Sequence, residues 1–251
     1  MGFDVEHAAS LLVEARRQHV QVAAVAPGPA RPEDAYAVQD AVARRLGPVG
    51  GWKVGARAPG HLPNAAPLLA TLVRPSPANW PSSSLHMIGI EAELAFRLGG
   101  DVPAREGAVS RDEIWGAVES VHAAIEIVDT RLAGWREADR LWVLADNQSN
   151  GGFVYDPHGV PVSRTSLADA SVRLVVDGHT LVEGRGGNPA GDPAWLVEWL
   201  VDHCVRYRGG LRAGTFVTTG SCTGMQFAKP GAVVEVTFDG IGTAAVRFSK
   251  L

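Results

Sequence analysis

The stretch GIEAELAFRL, residues 89–98, places two glutamates among aliphatic residues in the alternating pattern of a β-strand. Successive side chains of a strand point to opposite faces, so Ile90 and Leu94 share one face while Glu91 and Glu93 lie together on the other. Two neighbouring carboxylates on one face indicate either a water-facing surface or a site that binds something. This choice determines how the rest of the sequence is interpreted.

The stretch AAIEIVDT supplies a third carboxylate, because Ile125 and Ile127 define a core face and Glu126 lies on the opposite one. A buried carboxylate is costly unless it is paired or bound to a cation. If the two strands are neighbours, Glu126 converges with Glu91 and Glu93 as a set of oxygen ligands, which suits Mg²⁺ or Mn²⁺. The alternative is acidic strands that merely face water, and the spacing alone leaves the adjacency of the strands open.

The composition is that of an ordinary globular protein with a small-molecule partner. The chain has 251 residues, 46% hydrophobic and 20% charged, and a formal net charge of -4. Lys and Arg are scattered, so no basic patch indicates nucleic acid or an anionic membrane. Because no apolar run spans a bilayer and the start lacks a secretory pattern, we predict a cytosolic protein. Cys204 and Cys222 are too few for a disulfide framework and are predicted to be reduced thiols.

The N-terminal quarter has helical periodicity over residues 4–18 and 33–46, with Asp4 as a capping residue, Pro32 at the second start and Gly47 at its end. From Trp52 to about Arg74 the composition instead predicts a short strand followed by an irregular segment.

The part of the chain after about Arg74 is predicted to consist mainly of strands, with a few helices between them. Helices are expected near residues 111–117, 136–145 and 192–207, a hairpin over 171–184 with an Asp-Gly turn, and three strands at the end. Helices first and strands mostly later favour an α+β fold with a mixed or antiparallel sheet. We therefore divide the chain into an N-terminal helical segment, 1–50, and a β-rich catalytic domain, 51–251, which form one functional unit.

Two kinds of polar feature accompany the carboxylates. Lys53 in GWKVG is either an exposed lysine or a cation that grips a substrate carboxylate. The Gly-rich turns ADNQSNGG and TTGSCTG combine hydroxyl and amide groups at strand ends. Turn formation explains many such clusters, but both turns can also offer contacts to a small acid.

As a set, GWKVG, GIEAELAF, VHAAIEIVDTR, ADNQSNGGFV and VTTGSCTG resemble the 2-keto-4-pentenoate hydratase and 4-oxalocrotonate decarboxylase group of the fumarylacetoacetate hydrolase superfamily. The resemblance implies a mixed β-sandwich roll, a homo-oligomer, and Mg²⁺ or Mn²⁺ held by Glu91, Glu93 and Glu126. Lys53 matches the active-site lysine of the group, and Ser149 and Ser221 fall in stretches that border the substrate in relatives.

The activity implied is the metal-dependent addition of water to a 2-hydroxy-2,4-dienoate in aromatic catabolism. Decarboxylation of a 2-oxo diacid, hydrolysis of an acylpyruvate, and a catalytically weak partner subunit of a hydratase-decarboxylase complex are the alternatives. Many hydratases of the group carry Asp-aromatic-Gly where this chain has Leu68, Leu69 and Ala70, and Cys222 stands where relatives often have leucine. His61 is the candidate for the His-Glu pair that hydrolases of the superfamily use.

Overall fold

The computed structural model describes residues 2–162 and 167–250. In this part of the chain the helices are α1 Val5–Gln18, α2 Pro32–Leu46, α3 Arg111–Ala117, α4 Arg140–Ala145 and α5 Ala194–Tyr207. The strands are β1 Val49–Gly55, β2 Asn64–Leu69, β3 Val73–Pro75, β4 Ala78–Trp80, β5 Gly89–Leu98, β6 Val102–Pro103, β7 Val118–Val128, β8 Asn150–Tyr155, β9 Ser171–Val176, β10 His179–Arg185, β11 Gly210–Leu211, β12 Phe216–Ser221, β13 Gln226–Phe227, β14 Val233–Phe238 and β15 Gly242–Phe248.

The two N-terminal helices begin and end as their sequence signals predict. Asp4 caps α1 by accepting a hydrogen bond from the His7 backbone N–H at 3.0 Å, and Pro32 opens α2, which ends at Gly47. The apolar stripes of both helices pack together, with Leu12 and Val38 fully enclosed. The same cluster includes residues of α4, so the helical segment is joined to the rest of the chain by its own core.

The largest sheet is mixed, as predicted. Its strand order is β2-β1-β12-β5-β7-β8-β3, with β13 also paired to β5. The pairs β1/β12 and β3/β8 are parallel, and the other pairs are antiparallel. The long strands β5 and β7 are direct neighbours near its centre, which answers the question of adjacency that the sequence left open.

A second sheet has the order β10-β9-β14-β15-β4, and β6 pairs with β11 in a separate ribbon. The predicted hairpin is present, with Asp177 and Gly178 both at positive φ between β9 and β10. Ile90, Leu94 and Phe96 of β5 belong to the same buried cluster as Val236 and Val246 of the second sheet. Each such side chain contributes about 1.5–3 kcal/mol through burial, so the apolar face of β5 is fixed toward this core.

The irregular segment expected after Trp52 is a wrong prediction, because it contains β2 and β3. The sequence of β2, NAAPLL, lacks the β-branched and aromatic residues that signal a strand. Backbone pairing with β1 forms it nonetheless, and Pro67 is tolerated because β2 lies at the edge of the sheet. The three later helices, α3, α4 and α5, lie between strands at the places where the sequence predicts them.

Among the described residues, no helix has both the length and the apolar character that crossing a membrane requires.

Candidate active site

The three glutamates of the sequence pattern meet on one face of the large sheet. Glu91 on β5 lies directly opposite Glu126 on β7, and Glu93 follows two residues later on the same face. Carboxylate oxygens from the three residues all lie within 4.8 Å of one another. Glu93 and Glu126 are 0% exposed, so the water-facing interpretation of these strands is wrong.

Lys53 is buried beside this group, which excludes the exposed-lysine alternative. Its Nζ lies 2.6 Å from Glu126 Oε1 and donates to the Gln148 carbonyl oxygen at 3.1 Å. The lysine arrives there because β1 pairs with β12, which in turn pairs with β5. Burial alone lowers the pKa of Lys53, but attraction from Glu126, Glu91 and Glu93 outweighs it and raises the pKa, so the amine is held in its charged form.

Other donors satisfy some of the carboxylate oxygens. Asn150 Nδ2 donates to Glu126 Oε1 at 2.9 Å, while the Thr218 hydroxyl and the Gly220 backbone N–H donate to Glu93 Oε2. Gly220 has a φ of +82°, which a residue with a side chain rarely adopts, so glycine permits this contact.

Two oxygens remain without such a donor. Glu93 Oε1 and Glu126 Oε2 are buried and make no hydrogen bond with any described residue. An unpartnered buried carboxylate oxygen is expensive, and it is also the group that a cation requires. The donor set therefore fits a hard divalent cation, with oxygen ligands and without thiol or imidazole in the cluster.

The charge balance leads to the same conclusion. Burial, followed by repulsion from Glu126, raises the pKa of Glu91 to about 7, although Lys53 opposes the shift. Burial and the two neighbouring carboxylates also raise the pKa of Glu93. The cluster therefore resists full ionisation on its own; with all three carboxylates ionised beside the charged lysine, its formal charge would be about -2, which one divalent cation would cancel.

A left-handed turn sets one wall of the site. Asn147, Gln148 and Ser149 have φ values of 51°, 50° and 58°, a conformation that costs roughly 1–2 kcal/mol for each L-residue. Hydrogen bonds hold this turn: the Ser149 backbone N–H donates to the Asp146 carbonyl at 3.0 Å, and Lys53 grips the Gln148 carbonyl. Such strain persists where surrounding contacts determine it, often at functional sites.

A cavity of about 980 Å³ opens above the carboxylates. Five of the predicted site residues line it together: Lys53, Glu91, Glu93, Ser149 and Ser221. Glu126 does not line the cavity itself, but it forms an ion pair with Lys53, which does.

The candidate His61, the replaced position Leu68 and two other histidines lie in different parts of the structure. His61 lines the cavity, whereas Leu68 is enclosed in a separate apolar cluster and lies outside the described lining. His86 lies beside Asp129 in a second, smaller cavity. His122 is buried, with Nδ1 hydrogen-bonded to the Asp156 carbonyl oxygen at 2.7 Å. Cys222 is a buried free thiol, as predicted, and so is Cys204.

Sequence reasoning identified the polar turns but missed Gln148, Asn150 and Thr218 as individual site residues. Gln148 lines the cavity, and its Nε2 is buried without a hydrogen-bond acceptor among the described residues. The polar residues of ADNQSNGG indicated that this segment borders a site, but the left-handed turn determines which of their side chains face it. Alternation along the sequence therefore could not select them.

Comparison with known proteins identifies relatives over most of the chain. The sequence model of the family described as fumarylacetoacetate (FAA) hydrolase C-terminal matches residues 46–249. A 2-keto-4-pentenoate hydratase from Paraburkholderia phymatum is 31% identical over 192 residues, which span 75% of this chain and 71% of the relative. A 2-hydroxyhexa-2,4-dienoate hydratase from Comamonas testosteroni is 29% identical over 164 residues, or 64% of this chain and 60% of that protein.

The fold has a close counterpart among solved structures. The 4-oxalocrotonate decarboxylase from Pseudomonas putida G7, complexed with magnesium and adipate, superposes with a TM-score of 0.85. The match covers 97% of each chain at 24% sequence identity. At this identity the match shows that the two proteins share a fold and shows nothing about activity. The same enzyme has also been solved with calcium and acetate, with a TM-score of 0.84. On the strength of the sequence match across residues 46–249, this chain belongs to the fumarylacetoacetate (FAA) hydrolase family.

Proposed function

We propose that this protein is a metal-dependent hydratase that adds water to a 2-hydroxy-2,4-dienoate and releases a 4-hydroxy-2-oxo acid. Glu91, Glu93 and Glu126 hold Mg²⁺ or Mn²⁺ in this proposal. The observation that carries it is the convergence of three carboxylates, two of them buried and one half-buried, with two oxygens that no described donor satisfies. The hydratase names of the relatives at about 30% identity support the reaction class.

When bound, a divalent cation would supply Lewis acidity toward the C1 carboxylate and C2 oxygen of such a substrate. The chain's own groups account for the rest of the site. The charged amine of Lys53 balances negative charge that develops on the substrate and can donate a proton, whereas its raised pKa disfavours a role as base.

The reaction requires two proton transfers and one water. The dienol gains a proton at C5 as it becomes an α,β-unsaturated ketone, which makes C4 electrophilic. Water then adds at C4, and C3 gains a proton. Gln148 Nε2 and the hydroxyl groups of Ser149 and Ser221 line the cavity, where they can orient the carboxylate head and the attacking water.

The test is turnover of 2-hydroxypenta-2,4-dienoate by purified protein with Mg²⁺ or Mn²⁺, followed through loss of dienoate absorbance and formation of the hydroxy acid. Replacing Lys53 with Met should lower kcat by about 10²–10⁴, the range for a lost acid-base group. Lys250→Met, at an exposed position, is the matched control and should keep wild-type kcat.

Two results would overturn this proposal. One is the absence of turnover together with cation binding that is identical in wild type and Glu126→Gln. The other is release of CO₂ from a 2-oxo diacid without any hydration, which would replace hydration by decarboxylation.

Other predictions remain proposals about the whole protein. We propose that the two larger sheets form a β-sandwich roll, and that 1–50 and 51–251 act as one unit. A homo-oligomer, a decarboxylase partner and a cytosolic location are likewise retained as proposals, which the family resemblance and composition support.

A further inference from the structure

A second cavity, of about 290 Å³, lies among α1, the turn between β2 and β3, and the segment that follows β4. It shares no lining residue with the cavity above the glutamates. Asp129 is the one carboxylate among the described residues of its wall. Its wall contains four arginines: Arg16, Arg17, Arg74 and Arg131.

The carboxylates beside this cavity already have donors. Asp129 Oδ1 accepts hydrogen bonds from the backbone N–H groups of His86 and Met87 at 2.9 and 3.1 Å. Asp146 lies next to Arg131 and accepts from its Nε at 2.6 Å and from its backbone N–H at 2.9 Å. Two carboxylates against four guanidinium groups leave two positive charges without a counter-charge among the described residues.

Arg16 has hydrogen-bonding capacity that its neighbours do not use. Its side chain is 12% exposed, and Nη2 donates to the Asn150 carbonyl oxygen at 3.4 Å but lies 3.8 Å from Asp146 Oδ1, too far for a hydrogen bond. Its Nε is buried without an acceptor among the described residues. Burial, followed by repulsion from Arg131, lowers the pKa of Arg16 to about 9, although Asp146 and Asp129 oppose the shift. An anion in the cavity would relieve both deficits.

The other two arginines make no ion pair with a described residue. Arg74 is half-buried on β3, and its guanidinium carbon lies 4.2 Å from the centroid of the Trp80 ring. Arg17 is exposed on α1. Glu14, one helical turn before Arg17, lies outside the cavity lining and accepts a hydrogen bond from Gln18. The positive charge of the wall is therefore available to a ligand.

The rest of the wall and the volume of the cavity limit what this ligand can be. About 290 Å³ is near the lower limit of the range of about 300–1,000 Å³ for small-molecule pockets. An occupant must therefore be small, with a negative group for the arginines and an apolar part for the remaining surface. That surface is formed largely by apolar side chains: Ala15, Leu46, Leu69, Leu72, Trp80, Pro81 and Leu85.

We infer that this cavity is a binding site for a short aliphatic monocarboxylate, whose carboxylate pairs with Arg16 and Arg74 while its tail packs on the leucines. Guanidinium groups suit this role because two parallel N–H donors match the two oxygens of a carboxylate. The site is distinct from the one proposed for catalysis and does not depend on the proposed function. It is nevertheless close to it, since Asn150 accepts from Arg16 and donates to Glu126.

Titration calorimetry with butanoate tests the inference. The protein is kept in EDTA, so that the glutamates of the larger cavity have no cation and repel anions. We expect butanoate to bind wild type about tenfold more tightly than butan-1-ol, which has a similar tail but no charge. Inorganic phosphate, which has charge but no tail, should also bind about tenfold more weakly than butanoate.

Arg16→Met and Arg74→Gln should each weaken butanoate binding about tenfold, because each loses a charged donor. Arg74 lies on the edge strand of the sheet, so Arg74→Gln keeps the test valid if Arg16→Met does not fold. Arg173→Gln is the matched control, since Arg173 is exposed on β9 and lies outside the lining. Glu93→Gln should bind butanoate as wild type does, because the probe occupies the other cavity.

Four results would overturn the inference. One is the absence of butanoate binding to wild type, and another is wild-type affinity in both Arg16→Met and Arg74→Gln. The third is an affinity for butan-1-ol or phosphate equal to that for butanoate, which would remove the role of the charge or of the tail. The fourth is butanoate binding that changes in Glu93→Gln, which would place the probe beside the glutamates instead.

Discussion

If Glu93 holds a cation as proposed, this single residue couples metal binding to stability. It is fully enclosed, burial and repulsion raise its pKa, and Oε1 has no partner among the described residues. We expect Glu93→Gln to raise the melting temperature of the metal-free protein, because one repelling buried charge is removed. The same variant should lose the stabilisation by Mg²⁺, about 2.7 kcal/mol in wild type at one hundred times the Kd.

Thermal unfolding in EDTA and in saturating Mg²⁺ measures both effects. For a chain of this length, about 1 kcal/mol shifts the melting temperature by roughly 2–4 °C. Glu183→Gln, at an exposed position of β10, controls for the loss of a carboxylate and should respond to Mg²⁺ as wild type does. An equal Mg²⁺ response in Glu93→Gln would contradict the expectation.

At the scale of single residues, the sequence predicts the carboxylate cluster better than the residues that surround it. Glu91, Glu93 and Glu126 follow from strand alternation, and the register of β5 and β7 confirms that they share one face. Thr218 is less predictable, because the pairing of β12 with β5 shifts register just after it. Such a shift breaks alternation, so a pattern with period two cannot show where the side chain points.

Among the elements, α2 depends on one buried polar side chain. Gln39 has no exposed surface, and its Nε2 donates to the carbonyl oxygens of Ala65 at 3.1 Å and Leu144 at 2.7 Å. It thereby joins α2 to β2 and α4. We expect Gln39→Leu to lower the free energy of unfolding by about 2–4 kcal/mol, because two buried carbonyls lose their donor.

Urea denaturation measures this change, with Gln18→Leu, near the end of α1 and exposed, as the control. Asn64 of β2 and Leu144 of α4 line the cavity, so Gln39→Leu should also weaken binding of 2-oxopentanoate. Unfolding free energies that match between Gln39→Leu and wild type would show that the contacts contribute nothing.

Elements with strong local signals are the ones that sequence predicts. The helix α3 coincides with its predicted residues, and the Asp177-Gly178 turn fixes the β9–β10 hairpin. The strand β2 was missed because its six residues contain no β-branched or aromatic side chain. Its strand conformation depends on β1, which is information that no local window contains.

For the molecule as a whole, His203 links stability to pH. Its ring stacks on Trp199 with 4.9 Å between centroids, and burial, followed by repulsion from Arg208 and Arg206, lowers its pKa to about 4 although Asp202 opposes the shift. The unfolded chain takes up the proton near pH 6.5, whereas the folded protein does not until about pH 4. The unfolded state thus binds more protons in this window, so stability should fall as pH drops from 6.5 to 4.

Chemical denaturation across this range measures the slope. His203→Gln should flatten it, because the residue no longer titrates in either state. His7→Gln, on the exposed surface of α1, is the matched control. A slope that is the same in His203→Gln and wild type would exclude His203 as its source.

The order of strands in the large sheet is the feature that sequence reasoning could least supply. The strand β1 lies between β2 and β12, although about 160 residues separate β1 from β12. Local periodicity predicts strands but not their partners across such distances. The family resemblance supplied the fold-level expectation that pattern analysis could not.

The parallel pairing of β1 with β12 has a consequence for how the protein is made. While a ribosome is still adding residues up to 221, β1 has no strand to join it to β5, and Lys53 cannot reach Glu126. The three carboxylates lie on β5 and β7, which pair directly, so the cluster can form before its contacts with Lys53, Thr218 and Gly220, all of which require β12.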